Sequence, residues 1–557
     1  MNIRRIAARL LALVLVLTAS AGAAEQKVNV PYQRFMIHKL LKNSTFIDLE
    51  DAEALAPYYR MAQERKEAIL HSPTLIVKAD TFIPGETYTG TAYYVSETGS
   101  DQSDGLSPET AWQTFDHLRD RELLQPGDAV FFERGGTYRL AGAPLHLCDQ
   151  VTYSAYGEGE KPVITFVPED SAREECWTLW YEGENGEKIW RYDQDVGDVG
   201  GVVLSDEIYA RRILEWPTPY GWLALDITTR DIERCIAENT PDYYEMKNAN
   251  EYRTVEQQLT EDLTYVSRIS LDHFKVYPFD YSNGLRVGDL FLRCDQGNPG
   301  TVYDEIAVIA MQPGDEGWGP ALGNLMDGMH ADGWVLDNLS LKYFLEISVF
   351  SANNAANYAV IQNCTQEWGG NTLFKIERGI PQYDYSLIGD GIYCVSRNVT
   401  IRNNYFRQCS NASGFENSME KLEPLGTYRV EGNLIENCGQ GIRASLIKDR
   451  DEEKFDHILI KDNIIIGTGD SMNNANWEQP VAIDFGTHAV QFAKHIEACD
   501  NVLIGSATAI FRIPDTKEVV CDIHDNVIAQ SRDGALITEF QWFRSDELIW
   551  HMMEYAQ

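Results

Sequence analysis

The segments Arg429–Glu436 (RVEGNLIE), Leu459–Ile466 (LIKDNIII) and Asp522–Ala529 (DIHDNVIA) share one pattern, which decides the fold. In each segment two short runs of alternating apolar and polar residues flank an asparagine. Alternation with a period of two residues is typical of β-strands and excludes helical repeats. Each segment therefore predicts two strands that meet at an asparagine corner.

This pattern recurs along the C-terminal half of the chain at intervals of 25 to 41 residues. A minimum near 25 residues with variable excess predicts a coil of short strands whose loops differ from turn to turn. Asparagine suits the corner because it tolerates the left-handed conformation, and stacked asparagines can hydrogen-bond in a ladder. The repeated asparagines are Asn338, Asn363, Asn404, Asn433, Asn463, Asn501 and Asn526.

A second ordered segment, Tyr93 to Leu118, reads as a strand, a turn rich in Asp, Ser and Gly, and an amphipathic run. Together with the repeats it resembles the right-handed parallel β-helix proteins of the pectate-lyase-like group. The resemblance implies an all-β solenoid that this segment caps, since an open coil end exposes unpaired strand edges. The matching residues are Tyr93-Tyr94-Val95-Ser96, Gly99-Ser100-Asp101, Asp104-Gly105, Ala111-Trp112, Pro126-Gly127-Asp128 and Gly135-Gly136-Thr137-Tyr138.

The N-terminus has the layout of a secretory signal peptide. Arginines 4, 5 and 9 precede the apolar run Leu10 to Leu17, and Ala21-Gly22-Ala23 is a small-residue cleavage site. We therefore expect a mature protein that is secreted, either extracellular or periplasmic. The apolar run is too short to span a bilayer, so we expect no membrane anchor.

The remaining chain divides by its local patterns. Asp51 to His71 has helical character, and the tryptophan-rich stretch that begins near residue 170 has short strand-like runs. The last twenty residues have apolar residues at roughly helical spacing. The predicted parts are a signal peptide (1–23), an N-terminal extension (24–92), a β-helix cap (93–169), a β-rich insertion (170–320), the repeats (321–537) and a C-terminal cap (538–557).

The net charge and the composition exclude some classes of partner and cofactor. The formal net charge of -38 repels nucleic acid at long range, so we expect no nucleic-acid partner, and solubility is the simplest interpretation of the charge. We expect a monomer.

The ten cysteines and eleven histidines show no metal-ligand spacing, so no metal is predicted. Calcium at Asp101 and Asp104 is the alternative to simple turns held by these side chains.

The repeats also predict a row of outward side chains. About ten residues after each asparagine comes a strand that often starts with Gly or Ala. The central residue of each such strand is expected to face outward, on coils ~4.8 Å apart. The predicted row is Tyr393, Glu416, Arg443, Asp484 and Phe511.

This row suits a sugar, because Tyr393 and Phe511 can stack on sugar rings. Glu416 and Asp484 would be two coils, ~9.6 Å, apart. Inverting glycosidases hold their carboxyls ~6.5–9.5 Å apart, which leaves room for a water molecule. Arg443 between them can keep the base ionised. The alternative is a solvated salt-bridge ladder.

An excursion over residues 371–389 offers further candidates, because long loops on a rigid coil collect binding residues. Glu367 and Trp368 lead into it and Asp390 follows it. Residues 368–370 (WGG) and 389–393 (GDGIY) resemble motifs of some secreted β-helix proteins. Tyr393 stands where those relatives have an acid, so Asp390 or Glu416 would have to replace it.

The combined interpretation is a secreted polysaccharide-degrading enzyme, a glycoside hydrolase that acts on a polysaccharide or oligosaccharide. A polysaccharide lyase on the same fold is the second interpretation, favoured by the arginines between residues 397 and 443. A non-catalytic glycan-binding surface protein is the third.

Overall fold

The structure is a computed structural model, and it describes most of the chain after residue 40. The predicted signal peptide, 1–23, lies outside the described residues. These are 41–120, 122–140, 143–197, 199–218, 221–226, 255–267, 289–311, 324–329, 331–351, 356–370, 372–376, 384–394, 396–417, 426–446, 455–472, 480–485, 495–513, 521–531, 535–539 and 549–552.

Three long sheets of parallel strands form a right-handed parallel β-helix, as the resemblance implies. The first sheet contains Leu41–Lys42, Ala92–Val95, Ala129–Glu133, Val151–Tyr156, Trp334–Asp337, Ala359–Gln362, Val399–Arg402, Gly426–Glu431, Phe455–Lys461, Ile496–Cys499 and Cys521–His524. The second contains Thr45–Asp48, Thr137–Arg139, Val163–Thr165, Ser340–Phe344, Thr365–Gly369, Tyr405–Arg407, Leu434–Glu436, Ile464–Thr468, Val502–Ser506 and Val527–Gln530. The third contains Leu145–His146, Met326–Asp327, Ile347–Ser351, Asp390–Cys394, Asn411–Asn417, Gln440–Leu446, Val481–Asp484, Ala509–Arg512, Ala535–Glu539 and Ile549–Met552.

Two inserts leave the coil at the same corner, between the second sheet and the third. The larger insert follows Val163–Thr165, and the smaller is an antiparallel hairpin of Thr372–Ile376 and Asp384–Ile388. The larger insert holds a six-stranded sheet of Trp177–Glu182, Lys188–Tyr192, Leu290–Arg293, Thr264–Ser267, Arg211–Thr218 and Gly221–Asp226. It also holds a three-stranded sheet (Ile208–Tyr209, Val199–Leu204, Ile306–Ala310) and the short helices Val255–Gln258 and Pro299–Val302.

Five of the predicted corner asparagines form a continuous buried ladder. The side-chain amide of Asn463 donates to Asn501 Oδ1 at 3.0 Å, and the backbone N–H of Asn463 donates to the same oxygen at 2.9 Å. The same two bonds repeat at each step of the ladder, and each amide also donates to a strand carbonyl. The ladder therefore satisfies polar groups that would otherwise be buried alone. Its members are Asn404, Asn433, Asn463, Asn501 and Asn526.

Asn338 and Asn363 are not members of the ladder. On its own coil, each lies one residue earlier in the chain than the position that a ladder asparagine occupies. Both have a positive φ, whereas on later coils the left-handed residue is the one that precedes the ladder asparagine, such as Asp462. The residue aligned with Asn404 is Cys364, whose backbone N–H donates to Asn404 Oδ1 at 2.9 Å. The prediction that one asparagine both turns the corner and joins the ladder is therefore wrong, because two adjacent residues share these tasks.

The helix Ala52–Leu70 lies against the outer face of the second sheet. Asp51 caps its N-terminus by accepting from the Ala54 N–H at 3.0 Å. Its buried residues pack on sheet residues such as Leu434 and Ile464. Among the described helices, none has the length and apolar character needed to cross a membrane.

The chain closes its own solenoid at the C-terminal end. Leu41–Lys42 pairs in parallel with Cys521–His524, so a segment from the N-terminal extension continues the first sheet beyond its last coil. Thr45–Asp48 likewise extends the second sheet. On the third sheet, Ile549–Met552 pairs antiparallel with Ala535–Glu539. The helical spacing in the last twenty residues does not correspond to a helix at Ile549–Met552, which is a strand. A strand pairs with the open edge of the sheet, whereas a helix would leave that edge unpaired.

The remaining short elements are the strands Val77–Lys78 and Thr87–Tyr88 and the 3₁₀-helices Pro108–Thr110, Asp116–Arg119 and Glu174–Cys176. The structure describes the side chains of eight cysteines, and all eight are buried. Cys409 and Cys438 are fully buried on successive coils, where they serve as small apolar side chains.

Candidate active site

One residue from each of the nine parallel strands of the third sheet lies in a single row across the coils, which we call the outer row. The residues that precede several of its members, such as Val349, Ile442 and Ile483, are buried in the core. The outer row therefore faces away from the core. Its members are His146, Asp327, Phe350, Tyr393, Gly414, Arg443, Asp484, Arg512 and Thr538.

The predicted row agrees with the outer row at Tyr393, Arg443 and Asp484 and is wrong at two positions. Phe511 pairs with Ile483 and is fully buried, so it faces the core and cannot stack on a sugar as placed. The alignment on small residues failed there because Ala509 lies one residue earlier in its strand than the corresponding glycines. Arg512 takes the outward position instead.

Glu416 is the second misplaced member of the predicted row. Gly414 lies opposite Arg443, and Glu416 lies two residues farther along the strand, opposite Ser445. Two coils and two residues separate the Cα atoms of Glu416 and Asp484 by about 12 Å, more than the ~9.6 Å expected. The side chain of Glu416 lies outside the part of the chain that the structure describes, so its catalytic role stays a prediction.

Asp484 is fully buried and paired with Arg512 on the next coil. Arg512 Nε donates to Asp484 Oδ1 at 2.7 Å, and a second guanidinium nitrogen contacts Oδ2. Gln440 Nε2 also donates to Oδ2, at 2.9 Å. These contacts fix the orientation of the Asp484 side chain beside Arg443 on the outer face.

Asp390 begins its strand and is also buried. Both Ser410 Oγ and Asn411 Nδ2 donate to Asp390 Oδ1, the latter at 3.0 Å, which leaves Oδ2 without a described side-chain donor. Burial raises the pKa of Asp390, and the hydrogen bonds from Ser410 and Asn411 and the charge of Arg443 oppose that rise without cancelling it. Asp390 is thus a carboxyl group that holds its proton at higher pH than usual.

Two buried acceptors accompany these carboxyls on neighbouring strands. Asn411 Oδ1 and Gln440 Oε1 have no hydrogen-bond partner among the described residues, although both side chains are almost fully buried. Their amide nitrogens are used on Asp390 and Asp484. A buried oxygen without a donor costs free energy, so these acceptors suit hydroxyl groups of a ligand.

Phe350 and Tyr393 form an aromatic pair on adjacent coils of the outer row. Their ring centroids are 5.5 Å apart and their planes differ by 28°. Both side chains are half-buried, so part of the pair is open to solvent. A flat, partly exposed aromatic surface beside acids and an arginine can support the apolar face of a sugar ring.

Glu346, which directly precedes a strand of the third sheet, is not among the site residues that the repeats predict. It is only 6% exposed, and burial raises its pKa from 4.5 to about 7. The Asp390 N–H donates to the Glu346 carbonyl oxygen at 2.7 Å, so the two backbones are neighbours. A carboxyl in the otherwise apolar run Tyr343 to Ile347 was the available signal.

The structure places Glu367 and Trp368 on the second sheet, apart from the outer row. Glu367 lies between Lys342 and Arg407 on the neighbouring strands, and Arg407 contacts it at 2.8 Å. The Arg407 guanidinium carbon lies 4.6 Å from the centre of the Trp368 ring. These side chains belong to an interface with the larger insert.

The partner in that interface is Asp206, at the tip of a hairpin in the larger insert. Asp206 accepts hydrogen bonds from Lys342 Nζ and from Trp368 Nε1, both at 2.6 Å. Burial alone would raise the pKa of Asp206, but the charges of Lys342 and Arg407 hold it below its usual value. The contacts of Glu367 and Trp368 therefore serve docking of the insert, and a catalytic or sugar-binding role for them stays a prediction.

Asp101 and Asp104, the residues considered for calcium, are used in turns of the N-terminal cap. Asp101 Oδ1 accepts from the N–H groups of Gln113 and Thr114, at 2.9 and 3.0 Å. Asp104 Oδ1 accepts from Leu106 N and Thr110 Oγ1. The turn interpretation accounts for these oxygens.

The chain matches no protein-family profile and no curated protein. It is similar to the solved complex of XylC with xylose, at 11% identity and a TM-score of 0.37, covering 80% of this chain and 66% of that chain. A glycoside hydrolase follows at 10% identity and a TM-score of 0.33, covering 80% and 87%. The GH136 lacto-N-biosidase from Eubacterium ramulus follows at 13% identity and a TM-score of 0.24, covering 80% and 68%. The fold assignment rests on the strand pairings described above.

Proposed function

We propose that this protein is a secreted glycoside hydrolase that binds a glycan across the outer face of the third sheet. The observation that carries the proposal is the buried Asp390 carboxyl, whose pKa is raised by burial and whose Oδ2 has no described side-chain donor. General acids of glycosidases need a carboxyl whose pKa is raised in this way.

Glu346 is the second carboxyl that we propose. It precedes Ile347, which pairs with Asp390, so the Cα atoms of Glu346 and Asp390 are roughly 6 Å apart by strand geometry. With a pKa of about 7, Glu346 is ionised in a large fraction of molecules at neutral pH. Carboxyls carried on adjacent coils favour the retaining mechanism, in which the two carboxyl groups are ~5–5.5 Å apart, over the inverting mechanism with its wider spacing.

In this mechanism Asp390 protonates the glycosidic oxygen while Glu346 attacks the anomeric carbon. The bond to the leaving sugar breaks, and a covalent glycosyl ester forms on Glu346. Water deprotonated by Asp390 then cleaves the ester and restores both carboxyls. Phe350 and Tyr393 support the sugar ring, and Asn411 Oδ1 and Gln440 Oε1 accept its hydroxyl protons.

The first experiment offers the purified mature protein a panel of plant and host glycans and measures new reducing ends and ultraviolet absorbance. We expect reducing ends without absorbance, and NMR of the first product should show a retained anomeric configuration. Asp390→Asn and Glu346→Gln should each lower kcat by at least about a hundredfold. Asp195→Asn, at an exposed position of the insert, is the matched control.

Other results would contradict specific parts of the proposal. An inverted product, with activity lost in Glu416→Gln and Asp484→Asn but kept in Glu346→Gln, would move catalysis to the more widely spaced pair. Absorbing products would mean elimination and a polysaccharide lyase. Saturable glycan binding without any product would make this a binding protein.

A further inference from the structure

The outer face of the first sheet carries a second cluster of titratable side chains, on a different sheet from the site above. Three histidines and one glutamate from the coils near the C-terminal end converge there. His457 comes from the strand Phe455–Lys461, and His495 and Glu497 come from the next coil. His524 comes from the coil after that.

The spacing of the ligand atoms fits a metal ion. His457 Nε2 lies 3.4 Å from Glu497 Oε2, and the ligand atoms of His457, His495 and Glu497 all lie within 4.8 Å of one another. Ligands held ~2.0–2.1 Å from a tetrahedral zinc ion are separated by roughly 3.4 Å. The three side chains therefore need only small rotations to share one ion.

His457 supplies a second, independent observation. Its Nε2 atom is buried and has no hydrogen-bond partner among the described residues, because its contact with Glu497 lacks hydrogen-bond geometry. The His457 and His495 rings are stacked, with centroids 4.8 Å apart. Two adjacent imidazoles, one with a buried ring nitrogen that makes no hydrogen bond among the described residues, form an arrangement that an ion would satisfy.

Glu497 is also shared with a neighbouring group of Cys499 and His524. His524 Nε2 lies 3.4 Å from Glu497 Oε1, and Asp525 contacts the other ring nitrogen of His524 at 2.6 Å. In that group Cys499 Sγ lies 3.6 Å from Glu497 Oε1, as a thiol that donates to the carboxylate. A thiol must lose its proton before it can bind a metal, whereas two imidazoles and a carboxylate are ready ligands.

We propose that His457, His495 and Glu497 bind one divalent transition-metal ion of the Zn²⁺ class, with water in the remaining position. All three side chains are partly exposed, so the ion can enter from solvent. Imidazole nitrogens favour zinc over calcium, which takes oxygen ligands. The bound ion joins two successive coils of the first sheet.

The test uses the full-length mature protein without a polyhistidine tag, freed of metal by a chelator. Isothermal titration with zinc sulfate should show one site per chain, and zinc should raise Tm. His457→Ala, His495→Ala and Glu497→Gln should each weaken binding by at least about a hundredfold. His495 precedes its strand, so its variant is expected to fold, which circular dichroism checks.

Two further variants show which side chains hold the ion. His524→Ala should keep the site, and loss of binding there with retention in His457→Ala would overturn the assignment. His71→Ala is the matched control, because His71 and Glu67 form an exposed pair at 3.3 Å without a second imidazole. Weak binding at several sites, unchanged in His457→Ala and His495→Ala, would also overturn the proposal.

Discussion

Asp484 and Arg512 form a two-point ion pair between adjacent coils, and both side chains are almost completely buried. Removing one partner of such a pair takes away the opposing charge and the charge-assisted hydrogen bonds that offset the burial of the other. Asp484→Asn should therefore lower the free energy of unfolding by about 3–5 kcal/mol. The double variant Asp484→Leu with Arg512→Leu should recover most of this loss, since it removes both charges. Urea denaturation of the three proteins measures the difference, and equal midpoints for wild type and Asp484→Asn would contradict the prediction.

The contacts of Asp206 predict how the larger insert stays on the coil. Asp206→Ala removes the acceptor of Lys342 and Trp368 and leaves the partly buried cations Lys342 and Arg407 with Glu367 as the carboxylate that they still share. We expect the insert to become accessible to protease at neutral pH while the coils stay folded. Limited proteolysis followed by mass spectrometry locates the cleavage sites, and the exposed Asp195→Ala is the control. Identical cleavage of both variants would mean that other contacts hold the insert.

The asparagine ladder predicts a large effect for a small substitution. Asn463→Ala removes the acceptor of two Asn433 donors and the donor to Asn501 and to the Val430 carbonyl. Because each buried orphan group costs about 1–3 kcal/mol, the free energy of unfolding should fall by more than about 3 kcal/mol. Asn437→Gly, at an exposed left-handed position, should change it little. Urea denaturation compares the two variants, and similar losses would show that the ladder adds no special stability.

The raised pKa of Glu346 predicts that the stability of the protein depends on pH. Its folded-state pKa of about 7 lies above the ordinary 4.5, so its contribution is fully present below pH 4.5 and is lost as the pH rises through 7. Glu346→Gln should therefore be more stable than wild type at pH 8, by on the order of 3 kcal/mol. The two proteins should be alike at pH 4. Denaturation at both pH values tests this, and a constant difference would exclude titration of Glu346 as the cause.

Local patterns predicted the solenoid, because alternation and corner asparagines are properties of each coil by itself. The outward row was predicted only in part, because loops of different length separate the coils. Ala509 resembles the start of earlier strands, yet the core position belongs to Phe511 and the outward position to Arg512. A shift of one residue exchanges the two faces of a strand.

Contacts between distant segments could not be predicted in this way. Nothing near Asp206 in the sequence indicates that it meets Lys342 and Arg407, because the insert returns to the coil only in three dimensions. The histidine cluster has a signal in the sequence, because His457 and His495 each lie six residues before a ladder asparagine and therefore at the same position of successive coils. Metal-binding motifs with short spacing do not include this pair, because the interval between His457 and His495 is the length of one coil.

The pairing of Leu41–Lys42 and Thr45–Asp48 with the last coil has a consequence for the order of folding. Almost all of the coils separate these strands from their partners, so the partners are synthesised much later. The N-terminal strands must wait unpaired until Cys521–His524 and Val527–Gln530 emerge. Long-range pairing of this kind slows folding. The last coil therefore completes two of the sheets late, and a chain truncated before Cys521 would leave Leu41–Lys42 and Thr45–Asp48 without their partner strands.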